Sequence, residues 1–149
     1  MLSAPFSRQK AGKEAARTGT EGEEAACAML CRMGWRILAR NWKSGHLELD
    51  IVAQERDTLV FVEVKTRSQG GMQRPFEALT AAKKNTLRRA SRAWLAEHGA
   101  WGRPCRIDLV CVTAAQGTYQ TELIRNVIEY ADQGARHALG GGDSSWQPW

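Results

Sequence analysis

Glu48-Leu49-Asp50-Ile51-Val52-Ala53 and Leu59-Val60-Phe61-Val62-Glu63-Val64-Lys65-Thr66-Arg67, separated by a short polar run, decide how this chain of 149 residues folds. The first stretch alternates charged and apolar residues and the second is rich in Val and Phe, which reads as two antiparallel strands. With Arg56-Asp57 as a two-residue loop, Glu55 pairs with Thr58, Asp50 falls opposite Glu63, and Glu48 falls opposite Lys65. The same register sets Leu49, Ile51 and Ala53 across from Val64, Val62 and Val60, an apolar face suited to packing on a core. A three-residue loop would instead set Asp50 against Val62, so the reading requires an even loop, and four residues would serve as well as two.

Directly opposed side chains have Cβ atoms roughly 4.5–5.5 Å apart, and like charges so placed repel. A hard divalent cation would offset that repulsion. Mg2+ takes one or two carboxylates, keeps several waters and completes its shell with substrate phosphate. Lys65, two residues beyond Glu63, puts a compact positive charge beside such a phosphate or an attacking water. Asp50 and Glu63 are therefore candidate ligands for Mg2+ or Mn2+, and Lys65 a candidate catalytic residue, in hydrolysis of a phosphodiester. The plainer alternative makes Glu63 and Lys65 the solvated face of an edge strand, and Glu48 with Lys65 an ordinary cross-strand ion pair. Val52, Phe61 and Leu59 on that same face argue for a cleft wall instead, apolar at one end and charged at the other.

Gly22-Glu23, Gly34-Trp35-Arg36-Ile37-Leu38, Arg40-Asn41, Glu48 to Ala53 and Val60 to Arg67 resemble the YraN-like family of small bacterial proteins, uncharacterised protein family 0102. By pattern that family belongs to the PD-(D/E)XK nuclease superfamily and is similar to archaeal Holliday junction resolvases. The resemblance runs from about Gly22 to around Asp108. It implies a restriction-endonuclease-like core and catalysis by Asp50, Glu63 and Lys65, with Glu63-Val64-Lys65 as the (D/E)XK triplet and a helical carboxylate at Glu23. Leu49 stands where the superfamily's name puts Pro, and Leu47 where relatives usually carry Gly.

A chain of this length is one domain by the usual size prior. Its net charge of +5 favours a polyanionic partner. Between Ala81 and Arg106, seven basic residues face one acidic residue, Glu97. Lys84, Arg88 and Arg92 recur at four-residue steps on one face of an expected helix. Together with Lys83, Arg89 and Arg67 they are the candidate contacts to nucleic-acid phosphates. No apolar run approaches the roughly 20 residues of a membrane span, and no signal-peptide stretch opens the chain, so a cytoplasmic protein that does not engage membranes is expected. Cys27 and Cys31, like Cys105 and Cys111, lack zinc-ribbon spacing and are read as small buried apolar residues.

The expected order of elements is a mobile basic tail over residues 1–19, a domain over 20–132, and a Gly/Ser/Trp tail over 133–149. Within the domain the pattern predicts a helix from about Glu21 to Met33, a strand from Trp35 to Asn41, the hairpin, a loop from Ser68 to Arg74, a long helix from about Pro75 to His98, and a strand from Cys105 to Thr113. The segment from Gln120 to Tyr130 reads as either strand or helix. This is an α/β fold: a helix, a three-stranded antiparallel meander, a long helix, and further strands completing a mixed sheet. Asp108, inside the fourth strand, is expected to pair with an arginine. Glu23 has two readings. It either closes a capping box with Thr20 or reaches the site, where it and Glu48 would act as further catalytic carboxylates. The function these residues imply is metal-dependent endonucleolytic hydrolysis of duplex or branched DNA, for which junction cutting would favour a two-fold homodimer. The rival is a non-catalytic nucleic-acid-binding or assembly module on the same fold.

Overall fold

The computed structural model describes residues 6–70 and 79–128. Its elements are α1 (Phe6–Arg32), β1 (Arg36–Ser44), β2 (Leu47–Glu55), β3 (Thr58–Ser68), α2 (Ala81–Glu97), β4 (Cys105–Ala115) and β5 (Thr118–Ile124). The five strands form one sheet in sequence order. β3 and β4 pair in parallel and the other neighbours are antiparallel. A parallel pair needs a crossover long enough to return the chain, and α2 lies in it. The α/β fold with a meander and a mixed sheet is as expected.

From the turn to Ile51–Val62 the β2–β3 register matches the sequence reading; the expected pairs Asp50–Glu63 and Glu48–Lys65 lie beyond the end of the ladder. Ile51 pairs with Val62, Ala53 with Val60 and Glu55 with Thr58, around a two-residue turn in which Arg56 takes a positive φ of 54°. Alternation along β3 divides the core. Val60 and Val62 face the α1 side with Ala26, Leu30, Ile51 and Val110. Leu59 and Phe61 face the α2 side with Leu87, Trp94, Leu95 and Leu109. The sheet is thus covered on both faces, as buried parallel strands require.

Four expectations are corrected. First, α1 begins at Phe6, so the stretch expected as a basic tail is helix from there on. Residues such as Lys10, Lys13, Glu14, Ala15 and Ala16 are good helix formers without an amphipathic period, and a helix already anchored at its far end extends through them at little cost. Thr20 consequently lies inside the helix and its hydroxyl donates to the Ala16 carbonyl, which removes the capping-box reading of Glu23. Second, α2 starts at Ala81, where Thr80 caps it by accepting the Lys83 N–H at 3.1 Å. Pro75 and Phe76 lie outside the described residues, as does most of the loop expected after Ser68.

Third, Leu49 sits on the opposite face from Ile51 and Ala53, packing with Val52 and Trp42 on the α2 side. Asn41, which falls opposite Asp50 between the pairs Arg40–Ile51 and Trp42–Leu49, has a φ of 50°, so the pleat of the sheet edge resets there. Fourth, Cys31, expected to be buried, is exposed, because α1 turns Ala26, Cys27 and Leu30 toward the sheet and leaves Cys31 on its outer side. The undecided segment after Gln120 begins as a strand, β5. The tail over residues 133–149 lies outside the described residues.

Asp108 is fully buried. It accepts Arg106 Nε at 3.0 Å and the Asn126 N–H at 2.8 Å, as the expected ion pair. Arg106 and Arg125 also grip Glu55 at 2.6 and 2.7 Å and sit over the Trp35 ring. Led by Arg125, these guanidinium groups hold the Glu55 carboxyl down to about 2. This network ties the hairpin turn to β4 and β5, away from the charged end of the hairpin. Arg40 pairs with Glu24, and the Tyr119 hydroxyl donates to Glu21, so α1 is held to both edge strands of the sheet.

Candidate active site

β2 and β3 part company immediately beyond Ile51–Val62, the last pair of their ladder. In an unbroken ladder the Val64 N–H would go to the backbone of β2. It goes instead to the Asp50 carboxylate, donating to Oδ2 at 2.8 Å. The side chain of Asp50 thus fills the gap between the separating strands, and Glu63 stands beside it. Glu63 is 3% exposed, the deepest acid of the group.

These residues line a cleft of about 640 Å3. Glu48 and Asp50 come from β2, and Glu63, Lys65, Thr66 and Arg67 from β3. Glu14, Thr18, Gly19 and Glu23 come from α1, and Lys83 from the first turn of α2. All five carboxylate and lysine candidates read from the sequence (Asp50, Glu63, Lys65, Glu48 and Glu23) reach this one space. Arg67 does too.

Gly22 makes the arrangement possible on the α1 side. A Cβ at this position would strike the Thr66 hydroxyl and come within 3.0 and 3.1 Å of the Thr66 Cβ and Cγ2. Only a residue without a side chain lets the helix lie this close to β3. The next residue, Glu23, is thereby presented to the cleft.

The electrostatics are those of crowded acids with too little positive charge. Burial pushes the Asp50 carboxyl up to about 7, helped by the charges of Glu63 and Glu23 and opposed by the Val64 hydrogen bond. Glu63 is balanced differently: Lys65 and Lys83 both bring their ammonium groups to 3.2 Å from its Oε1. Lys65 therefore pairs along its own strand with Glu63. Lys83, expected among the outer phosphate contacts, belongs to the cleft. Sequence spacing alone could not place it, because its approach depends on how α2 crosses the sheet. Lys84 and Arg88 remain half-buried on α2, and Arg89 and Arg92 are exposed; none of the four lines the cleft.

Among the described residues no three His, Cys, Asp or Glu side chains are gathered closely enough to hold a metal ion on their own. The donor set nevertheless suits a hard divalent cation that keeps its waters. It offers two adjacent carboxylates in an open cleft, one of them held up in proton affinity first by burial and then by the charge of Glu63. Softer metals would need the nitrogen or sulfur ligands this cleft lacks among the described residues.

The model of the uncharacterised protein family UPF0102 matches residues 22–112. The chain belongs to that family. The matched span opens at Gly22 and contains Glu23, Glu48, Asp50, Glu63, Lys65 and Lys83, whereas Glu14, Thr18 and Gly19 lie upstream of it. A UPF0102 protein of Nitratidesulfovibrio vulgaris (strain DP4) is 52% identical over 132 residues, covering 89% of this chain and 95% of that protein. One from Lawsonia intracellularis is 37% identical over 131 residues, with 88% and 96% covered. Another, from Beutenbergia cavernae, is 44% identical over 110 residues, with 73% and 93% covered. The UPF0102 name states no activity.

Proposed function

We propose that this UPF0102 protein is a metal-dependent endodeoxyribonuclease that hydrolyses DNA phosphodiester bonds. One observation carries the reading: Asp50 and Glu63 meet in a cleft where Asp50 is pushed toward its neutral form, with two lysines already drawn to Glu63. Carboxyl groups raised in proton affinity by burial and by a neighbouring acid, in a cleft, are concentrated at functional sites.

Asp50 and Glu63 would hold Mg2+ or Mn2+, with the Val64 carbonyl as a further ligand. The ion would act as a Lewis acid on the phosphoryl oxygen and lower the pKa of a bound water. The protein's own residues supply the rest. The Val64 N–H fixes the Asp50 carboxylate in place. Lys65 orients the attacking water or balances charge on the phosphate, and Arg67, on the same strand, binds the adjoining backbone. Glu48 and Glu23, which also line the cleft, add negative potential to it. α2 carries the basic residues Lys84, Arg88, Arg89 and Arg92, suited to phosphates along a duplex or branched substrate. A two-fold dimer would present two such clefts to a junction. Among the described residues no helix is long and apolar enough to cross a membrane, and the proposed setting is the cytoplasm.

The direct test is incubation of the purified protein with nicked, flapped, four-way and plain duplex DNA, with and without Mn2+. Cleavage that needs the metal is the expected result. If the protein binds DNA but neither takes up Mn2+ nor cleaves any substrate, the non-catalytic binding module is the right description. In parallel, Lys84→Glu with Arg88→Glu should weaken DNA binding and lower the slope of log K against log salt by roughly two, about one per lost phosphate contact. An unchanged slope in fluorescence anisotropy would take that face of α2 out of the interface.

A further inference from the structure

Lys83 occupies an unusual position between two charged environments. Its ammonium lies 3.2 Å from Glu63 Oε1, the same oxygen that Lys65 approaches at 3.2 Å. Glu63's side chain is 4% exposed and that of Lys83 28%, so the pair joins the floor of the cleft to its rim. Lys83 stands in the first turn of α2, held there by the Thr80 cap, immediately before Lys84 and one turn before the Arg88 region.

A dication shared by Asp50 and Glu63 would be the third positive centre at one carboxylate, and like charges at that range repel strongly in a partly buried site. One ammonium must withdraw. Lys65 is tied to Glu63 by adjacency on β3 and has the cleft's other β3 residues around it. Lys83 reaches in from a different element whose following residues form a basic row. A phosphate lodged between that row and the cleft is the anion to which Lys83 can turn.

We propose that Lys83 is a positioning residue that couples the two ligands: a DNA phosphate draws it off Glu63 and so opens that carboxylate to the divalent cation, while the cation pushes it toward the phosphate. This rests on the nuclease reading of the site. Coupling of this kind is reciprocal, so each ligand tightens the other by the same factor, commonly about 5- to 150-fold. A consequence is that the metal enters poorly without DNA, and the cleft acquires its cation where a substrate is present.

The experiment uses the full chain and two variants, Lys83→Met, which keeps the apolar stem, and Lys83→Arg, which keeps the charge. Calorimetric titration with Mn2+ alone should show binding roughly ten-fold tighter in Lys83→Met than in the unaltered protein, and no such gain in Lys83→Arg. Anisotropy of a labelled duplex with phosphorothioate linkages, which resist cleavage, should show Mn2+ tightening DNA binding several-fold in the unaltered protein. That enhancement should fall close to one in Lys83→Met and persist in Lys83→Arg. Equal Mn2+ affinity in all three proteins, or an enhancement undiminished in Lys83→Met, overturns the coupling while leaving the metal site standing. Absence of Mn2+ binding in every protein, with or without DNA, overturns the nuclease reading itself and the coupling with it.

Discussion

Asp50→Asn is expected to lose cleavage by well over about 100-fold, since even outer partners of a metal site cost 10- to 100-fold when removed, and yet to be the more stable protein at pH 8 without metal. The sign follows from where the proton sits. The Asp50 carboxyl is pushed up to about 7 in the folded chain from an ordinary 3.8, so the native state binds more protons than the unfolded one between those values. Its contribution to stability is complete below pH 3.8 and disappears as pH rises through 7. Asparagine keeps an oxygen to accept the Val64 N–H but carries no charge, and so escapes that loss. At 1.36 kcal/mol per pKa unit the upper bound is about 4 kcal/mol, lowered by water and salt in an open cleft. A rise of a few degrees in melting temperature at pH 8, shrinking toward pH 5, is the corresponding signature.

Mn2+ should reverse the ranking. It would replace the proton as the counter-charge, so the unaltered protein should gain stability from Mn2+ at pH 8, gain far less at pH 5 where protons compete, and the Asn variant should gain little at either. Thermal melts at the two pH values with and without Mn2+ check this. If Asp50→Asn is the less stable protein at pH 8, or if Mn2+ stabilises both proteins alike, Asp50 is not the group that wants the cation.

The hairpin could be read from its residues because its alternation and its turn agree: one register satisfies both the apolar face and the two-residue loop, and the structure keeps it through Ile51–Val62. The departure begins at the acidic end of the hairpin. Leu49 changes face because β2 leaves the regular pleat at Asp50, and a period-two argument assumes that pleat. The upstream half of α1 was hidden for another reason: its residues favour helix through intrinsic preference, which leaves no amphipathic stripe to detect. Lys83 was grouped with the basic face of α2, whereas it lines the cleft beside Glu63. Spacing along a helix tells which residues share a face, but not which turn of that helix meets an acid buried on β3. Glu23 shows the converse, since a local cap pattern concealed a carboxylate whose true setting is the cleft.

Gly22 decides how close that carboxylate can come. Gly22→Ala would ordinarily strengthen a helix by about 1 kcal/mol. Here the added methyl meets the Thr66 hydroxyl, with the Thr66 Cβ and Cγ2 at 3.0 and 3.1 Å. Rotation of the threonine relieves one contact and not the others, so α1 must lift from β3. The overpacking penalty of about 1–3 kcal/mol should exceed the propensity gain, leaving Gly22→Ala destabilised by about 1–2 kcal/mol in denaturant unfolding. Lifting the helix also carries Glu23 away from Asp50, lowering one of the charges that raises Asp50's proton affinity. Thr66→Ala removes the Oγ1 and Cγ2 atoms in the way. In the double variant the helix should settle back and the propensity gain should reappear, giving a coupling energy in the double-mutant cycle of about 1 kcal/mol or more. Additive effects, or a Gly22→Ala protein more stable than the parent, would show that α1 does not press on Thr66, and with that would go the reason for placing Glu23 in the site.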